Sequence, residues 1–274
     1  MSNRNTVSVS ILSGKGGVGK SNLALNICYC LHSMGHSVLL MDCDMGLANM
    51  DVLLGVAPQK HVQDLLISND DPASLLIPIG PEGSSGFDLI PANSGMAEFT
   101  ELDSGARSML REKLNPLALQ YNFLCLDIGA GISPTALGFA AMTALRLVVV
   151  TPEPTSLTDS YALMKVLSQR HKVEDFHILV NQVESPSEGK RTYSRLSAVC
   201  KRFLGFAPAY LGEVRSDRAL LDAVRKQKPL MEISPRSPAA ADCMALANSL
   251  VRQREKFIQL ESMPPPLHSL TIHE

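Results

Sequence analysis

The chain has 274 residues, of which 45% are hydrophobic and 19% are charged, and its formal net charge is −2. This length is sufficient for one large α/β domain with a buried core, and the near-neutral charge gives no general preference for nucleic acid. No apolar run is long enough to span a membrane, and residues 1–5 lack the apolar core of a signal peptide, so we expect a cytoplasmic protein.

The cysteines are too scattered to suggest a metal cluster. No two of them form a Cys-x-x-Cys pair, the spacing that is typical of zinc and iron–sulfur sites. Four of them fall in or beside apolar strand and helix patterns, where cysteine usually acts as a small buried hydrophobic residue. The six positions are Cys28, Cys30, Cys43, Cys125, Cys200 and Cys243.

The first predicted strand, residues 6–12, leads into a glycine-rich loop that fits the phosphate-binding pattern Gly-x4-Gly-Lys-Ser/Thr. Glycines let backbone N–H groups turn inward around phosphate oxygens, and the predicted helix over 22–34 points its positive end at the same oxygens. Lys20 is placed to contact the β- and γ-phosphates, and the Ser21 hydroxyl can hold Mg²⁺. The predicted ATP-binding residues of this loop are Gly14, Lys15, Gly16, Gly17, Val18, Gly19, Lys20 and Ser21.

A second predicted strand, residues 37–41, ends in an acidic segment over 42–51. Asp42 and Asp44 are two residues apart, so both can face the crevice at the carboxyl end of a parallel strand, where open α/β sheets bind ligands. One carboxylate can hold Mg²⁺ through a water molecule, and the other can orient an attacking water.

The middle of the chain contains shorter predicted elements. We expect a short helix, two short strands on either side of a Gly/Ser loop at 80–86, a surface connection at 95–101, and a helix that Pro116 bends or ends. The short helix covers 61–66, the strands cover 75–79 and 87–90, and the longer helix covers 102–119.

An apolar strand over 122–127 ends in Asp127, which is the Walker B pattern: the strand places one carboxylate beside the Mg²⁺ shell. Residues 128–131 follow as a second switch segment. The predicted Mg²⁺ site therefore includes Ser21 and Asp127, together with one of the two carboxylates Asp42 and Asp44.

Strands and helices continue to alternate toward the C-terminus. Strands are predicted at 146–151, 176–181 and 210–215. The first of them is followed by a helix to about residue 170, which Thr155 or Ser156 can cap. The last is followed by a helix over 219–226, which Ser216 or Asp217 can cap. The helix over 190–203 is rich in Lys and Arg; a solvated surface is favoured, with contact to DNA or anionic lipid as the alternative. For the final helix, 238–260, core packing is favoured over membrane contact.

This alternation predicts a doubly wound, mostly parallel sheet with helices on both faces. We expect one domain over residues 1–262, including the C-terminal helix, and a mobile tail over 263–274 that contains three consecutive prolines.

The second lysine of the loop, Lys15, makes the sequence Lys-Gly-Gly-Val-Gly-Lys-Ser resemble the deviant Walker ATPases of the MinD/ParA family, which are P-loop NTPases of the SIMIBI type. The acidic segment Asp-x-Asp-x-Gly-Leu-x-Asn-x-Asp is similar to the first switch of MinD-type proteins. Together with the following Met-Asp-Val-Leu-Leu-Gly it resembles the flagellar-number regulators, the FlhG/FleN branch. Gly129 stands where the wider family usually has proline, as in that branch.

The resemblance implies roles for individual residues. Lys15 would reach the nucleotide of a partner subunit, Asp42 would lie near Mg²⁺, and Asp44 would position the attacking water, so that Lys15, Lys20 and Asp44 are the expected catalytic residues. Asn49 would lie close to the phosphates. At the other end of the nucleotide, Asn181 would read the adenine edge, and the backbone of Val214 and Arg215 would lie against the adenine. Residues 152–159 would form part of the dimer face.

The resemblance also implies a function: a slow, Mg²⁺-dependent ATP hydrolase that dimerises when ATP is bound and controls flagellar number or placement with a flagellar regulatory protein as partner. One alternative is a MinD-like ATPase for cell division or polar positioning, peripheral at the inner face of the cell membrane. Another is a ParA-like DNA-segregation ATPase, although DNA is the less favoured partner.

Overall fold

The computed structural model describes residues 5–80, 86–94 and 101–268, and within them one eight-stranded sheet runs through the molecule. The strand order is β3-β4-β2-β5-β1-β6-β7-β8. The strands are β1 (Val7–Leu12), β2 (Val38–Cys43), β3 (Ile77–Ile79), β4 (Phe87–Ile90), β5 (Phe123–Ile128), β6 (Leu145–Val150), β7 (His177–Val183) and β8 (Ala209–Arg215).

All neighbouring strands are parallel except β3 and β4, which form an antiparallel pair at one edge. A parallel sheet requires a crossover between successive strands, and helices supply these crossovers on both faces. The doubly wound, mostly parallel α/β fold predicted from the sequence is therefore confirmed. In this topology the carboxyl ends of the central strands β2, β5 and β1 meet at one edge of the sheet.

The helices divide into two layers. Side chains of α1, α9 and α10 pack in one core with α8, and those of α3 to α7 pack in the core on the opposite face. The helices are α1 (Lys20–Ser33), α2 (Met50–Leu54), α3 (Asp64–Ile67), α4 (Ser104–Ala118), α5 (Pro134–Ala141), α6 (Pro154–His171), α7 (Pro186–Leu204), α8 (Arg218–Arg225), α9 (Leu230–Ile233) and α10 (Pro238–Gln259).

The central strand β1 is buried on both faces, although its sequence alternates between apolar and polar residues. Its serines are tolerated because they are hydrogen-bonded. Ser8 Oγ accepts from the backbone N–H of Ala144 at 2.8 Å, and Ser10 Oγ accepts from the Thr143 hydroxyl at 2.9 Å. The six cysteines are buried and unpaired, as expected for small hydrophobic residues.

Several local predictions are corrected by the structure. Helix α4 continues through Pro116 to Ala118, and helix α5, which the sequence patterns did not predict, fills the segment after the second switch. The prediction that Thr155 or Ser156 caps α6 is wrong, because Pro154 already occupies the first turn and Glu153 is the N-cap residue. The expected surface connection at 95–101 lies almost entirely outside the described residues.

The C-terminal segment is packed against the domain as far as residue 268, contrary to the expectation of a free tail. Leu267 is buried in the core beneath α4 and α5. The side-chain amide of Asn115 donates to the Leu267 carbonyl at 3.0 Å, and its oxygen accepts from the Leu267 N–H at 2.8 Å. Because α10 packs on the other face of the sheet, residues 260–268 connect the two helical layers.

Candidate functional site

The phosphate-binding loop connects β1 to α1 and is shaped by glycines with different requirements. Gly17 and Gly19 have φ angles of +79° and +86°, a left-handed conformation that residues with a side chain rarely adopt. Gly14 is needed for another reason. A Cβ at this position would lie 2.2 Å from the backbone carbonyl carbon of Asp159, so the start of the loop is pressed directly against helix α6.

The loop and the first switch enclose a cleft of about 510 Å³ at the carboxyl edge of the sheet. Of the predicted site residues, those that line this cleft are Gly16 to Ser21, Asp44 and Asn49. The other lining residues, which were not predicted to bind, are Ser13, Asn22, Leu47, Val52, Leu53 and Ala130. Leu47, Val52, Leu53 and Ala130 lie inside the motifs of the two switch segments, and Ser13 and Asn22 flank the phosphate-binding loop, so their position in the chain is the signal that could have identified them.

Lys20 lies beneath the cleft and forms a buried ion pair. Its Nζ is 2.6 Å from Oδ1 of Asp127, and the two side chains are 8% and 1% exposed. The same ammonium lies 3.4 Å from the Ser21 hydroxyl. The loop lysine, the hydroxyl and the Walker B carboxylate, which are far apart in the sequence, are therefore adjacent in space, as predicted.

Asp42 and Asp127 are neighbours across the sheet, because they occupy paired positions on β2 and β5. Asp42 accepts hydrogen bonds from the backbone N–H groups of Asp44 at 2.9 Å and of Asn49 and Met50 at 3.3 Å each. Burial, together with the negative charge of Asp127, raises the pKa of Asp42 to about 7.

The donor set fits Mg²⁺. Oδ2 of Asp127 is buried without a hydrogen-bond partner among the described residues, so one carboxylate oxygen is available to a cation. Within the described part of the chain no cluster of three or more His, Cys, Asp or Glu side chains could hold a metal ion. Magnesium at a nucleotide site is usually held by one or two carboxylates and a hydroxyl, together with phosphates and water, and Asp42, Asp127 and Ser21 supply the protein groups of this kind.

Asp44 lies where the two switch segments meet. Its Oδ1 accepts from the backbone N–H of Leu47 at 3.0 Å, and it faces the cleft. A Cβ at position 129 would lie 3.1 Å from the carboxyl group of Asp44, so the glycine in the second switch leaves space for this carboxylate. A side chain at position 129 would therefore require the Asp44 carboxyl group to shift by a few tenths of an ångström.

Lys15 lies outside the cleft and contacts the N-terminus of α6. Its ammonium forms a close ion pair with Glu153 and is 3.2 Å from the Thr155 hydroxyl, and the pair is solvent-exposed. Residues 152–159 are those that the family resemblance places at a dimer face. The lysine is thus held at the surface where a second subunit would be expected.

The predicted adenine contacts are arranged around the far end of the loop. Asn181 is buried, and its Nδ2 donates to the Val18 carbonyl at 2.8 Å. Val214 pairs with Asn181 across β7 and β8 but its side chain is in the core, and the guanidinium of Arg215 is bound to Asp242 at 2.7 and 2.8 Å. The backbone N–H of Arg215 also donates to Oδ2 of Asp242, at 3.0 Å, so the side chains of both residues and this N–H already have other contacts.

Comparison with known proteins was made on the sequence and on the fold. Residues 9–230 match the family model of the CobQ/CobB/MinD/ParA nucleotide binding domain. The chain is 35% identical to the antiactivator FleN of Pseudomonas aeruginosa over 88% of this chain and 85% of that protein. It is 34% identical to the flagellum site-determining protein YlxH of Helicobacter pylori, over 92% of this chain and 84% of that protein.

Solved structures share the fold at lower identity. The septum site-determining protein MinD of Pyrococcus horikoshii, solved with Mg-ADP, has a TM-score of 0.72 at 20% identity and is matched over 90% of this chain and 97% of its own. The MinC:MinD complex of Aquifex aeolicus contains a chain with a TM-score of 0.73 at 23% identity, matched over 90% and 96% of the two chains. Among the described residues no helix is long and apolar enough to cross a membrane.

Proposed function

This chain belongs to the CobQ/CobB/MinD/ParA family of nucleotide-binding domains, and on that basis we propose that it is an Mg²⁺-dependent ATPase switch that dimerises when ATP is bound. The proposal rests on one observation. Lys20, Asp127 and Asp44 meet at one cleft beside a complete phosphate-binding loop. Lys15 at the adjacent surface supplies the second lysine that a paired site requires.

The buried ion pair suggests how ATP would act on the switches. Lys20 turns from Asp127 toward the β- and γ-phosphates, which carry more negative charge than one carboxylate. The released carboxylate of Asp127, with Asp42 and the Ser21 hydroxyl, would hold Mg²⁺, which neutralises charge on the phosphate oxygens during phosphoryl transfer. Asp42 also accepts hydrogen bonds from the backbone N–H groups of Asn49 and Met50, so a movement of this carboxylate on binding Mg²⁺ would move the start of α2 directly.

Hydrolysis requires a water molecule aligned with the γ-phosphate, and Asp44 is the carboxylate that faces the cleft without being bound to Lys20. In the dimer, Lys15 would leave Glu153 and stabilise charge on the nucleotide of the partner subunit, in the manner of an arginine finger. Loss of the γ-phosphate removes these contacts and releases the dimer.

The biological role rests on the relatives. FleN is named an antiactivator and YlxH a flagellum site-determining protein, so we propose control of flagellar number or placement, with a flagellar regulatory protein as partner. Proteins named MinD are related at lower identity, between 25% and 27%, which leaves a division-site or polar-positioning role as the alternative. For either role we propose a cytoplasmic protein. In the division-site or polar-positioning role, the protein would also contact the inner face of the membrane peripherally.

Mass measurement by light scattering with ATP and Mg²⁺ tests the switch. We expect Asp44→Ala to accumulate as a dimer at saturating ATP, because it binds ATP but does not hydrolyse it, and Asp44→Ala/Lys15→Gln to remain a monomer. Lys60→Gln is the matched control, since Lys60 also forms an exposed ion pair, with Asp70 at 2.8 Å, but lies away from the cleft. A monomeric Asp44→Ala protein at saturating ATP contradicts the proposed dimer.

A further inference from the structure

Gln182 interrupts strand β7 beside the phosphate-binding loop. Asn181 pairs with Val214 and Val183 pairs with Arg215, so Gln182 is the extra residue of a β-bulge. Its φ angle is +58°, in the left-handed region that non-glycine residues seldom occupy. Bulges and strained backbone of this kind occur most often next to functional sites, where they change the direction of a side chain.

The bulge places two consecutive amide side chains against the same glycine. A Cβ on Gly19 would lie 2.5 Å from Nδ2 of Asn181 and 3.9 Å from Nε2 of Gln182. Gly19 is the N-cap residue of α1, where the loop that holds the phosphates ends. Both amides are therefore located at the end of the cradle from which the sugar and base of a bound nucleotide would extend.

The two amides differ in what they can offer a ligand. Asn181 is buried, and one of its two amide hydrogens is already donated to the Val18 carbonyl. Gln182 is exposed, and its carboxamide has no hydrogen-bond partner within the described ranges 5–80, 86–94 and 101–268. A free carboxamide carries two donor hydrogens and an acceptor oxygen, which suits the polar edges of a purine or a ribose.

We propose that Gln182 contacts the nucleoside part of the bound nucleotide, while Asn181 mainly positions the phosphate-binding loop by holding Val18. The inference rests on the proposed nucleotide binding and adds a residue to it. The left-handed bulge brings the Gln182 carboxamide beside Gly19, at the end of the loop. Gln182 contacts the sugar or the base and makes no contact with the phosphates.

The test compares a ligand with a nucleoside and one without it. Gln182→Gly and Gln182→Ala remove the carboxamide, and binding of ATP and of inorganic tripolyphosphate, both with Mg²⁺, is measured by calorimetry. Since one hydrogen bond is worth roughly a factor of ten, we expect ATP to bind about tenfold more weakly to both variants. Tripolyphosphate should bind to them within about twofold of the unsubstituted protein, since it lacks the contacted group.

Lys172→Gly is the matched control for relief of backbone strain. Lys172 is also exposed with a φ angle of +56°, but it ends α6 and does not line the cleft. Both glycine variants should raise the melting temperature, because glycine adopts this conformation without strain. Only the changes at position 182 should weaken ATP binding.

The possible results separate this inference from the function on which it rests. Unchanged ATP affinity in both Gln182 variants overturns the inference and makes the bulge a purely structural strand end. An equal loss for ATP and tripolyphosphate also overturns it, because the defect then lies in the phosphate loop. If the unsubstituted protein does not bind ATP, or binds it equally well after Lys20→Gln, the proposed function fails and the role of Gln182 fails with it.

Discussion

The ammonium of Lys20 and the carboxylate of Asp127 are 2.6 Å apart and almost completely buried, so the candidate site is held together by an internal ion pair. Removal of one member of a buried pair leaves an uncompensated charge in the interior, which typically costs about 3–5 kcal/mol. Here the cost is increased by Asp42, the second carboxylate beside Asp127.

We therefore expect Lys20→Met to lower the free energy of unfolding by about 3–5 kcal/mol in urea denaturation without nucleotide. The double variant Lys20→Met/Asp127→Asn should recover much of this loss, because it also removes the unpaired charge. Lys15→Met is the control, since the exposed pair with Glu153 contributes at most about 1 kcal/mol. Equal effects of the two single variants would contradict the role of the buried pair.

A second prediction concerns pH. Burial and the charge of Asp127 raise the pKa of Asp42 to about 7 in the folded protein. The folded state then binds more protons than the unfolded state between the ordinary pKa near 3.9 and about 7, so the contribution of Asp42 to stability falls as pH rises through this range. Each unit of raised pKa corresponds to about 1.4 kcal/mol.

Asp42→Asn should therefore gain stability relative to the unsubstituted protein when the pH is changed from 5 to 8, as measured by unfolding at both values. Asp70→Asn is a control that should show no change between these pH values, because the hydrogen bond from Lys60 lowers the pKa of the exposed Asp70, which is therefore ionised in both the folded and the unfolded state throughout this range. Binding of Mg²⁺ with nucleotide should tighten as pH rises toward 7, since Asp42 must lose its proton to face a cation. A pH dependence that is the same with and without Asp42 would contradict its raised pKa.

A third prediction separates two glycines of the loop. A methyl group at Gly14 would lie 2.2 Å from the Asp159 backbone, whereas one at Gly16 has nothing within 4 Å. We expect Gly14→Ala to destabilise the nucleotide-free protein by about 1–3 kcal/mol, because loop and helix must move apart. Gly16→Ala should change the free energy of unfolding by less than about 0.5 kcal/mol. If both are tolerated equally, the loop is not packed on α6 as described.

A fourth prediction concerns the C-terminal segment. Leu267 is 1% exposed and lies in the core, whereas Leu260, near the end of α10, is 74% exposed. Leu267→Ala should cost about 2–5 kcal/mol, as for other buried leucines. Leu260→Ala should cost less than about 0.5 kcal/mol. Thermal unfolding of the two variants measures the difference, and a tail that is free in solution would show none.

The sequence predicted the position of the candidate residues in the fold where one motif specifies both a backbone shape and a chemical group. The glycine spacing of the loop, the carboxylate at the end of β5 and the paired Asp42 and Asp44 were all assigned correctly to the carboxyl edge of the sheet. Helix α5 was missed because its residues are almost all small or apolar and buried, so they give no helical alternation of polar and apolar positions.

Most of the strands and helices, the phosphate-binding loop and the family could be inferred from the sequence alone, because these depend on local backbone preferences and on spacing within short segments. The tertiary structure decided that Asn181 holds Val18, 163 residues away, that Gly14 fits against α6, and that Asn115 holds Leu267, 152 residues away. Such contacts arise only when separate elements pack together, and no periodicity within either segment specifies its partner.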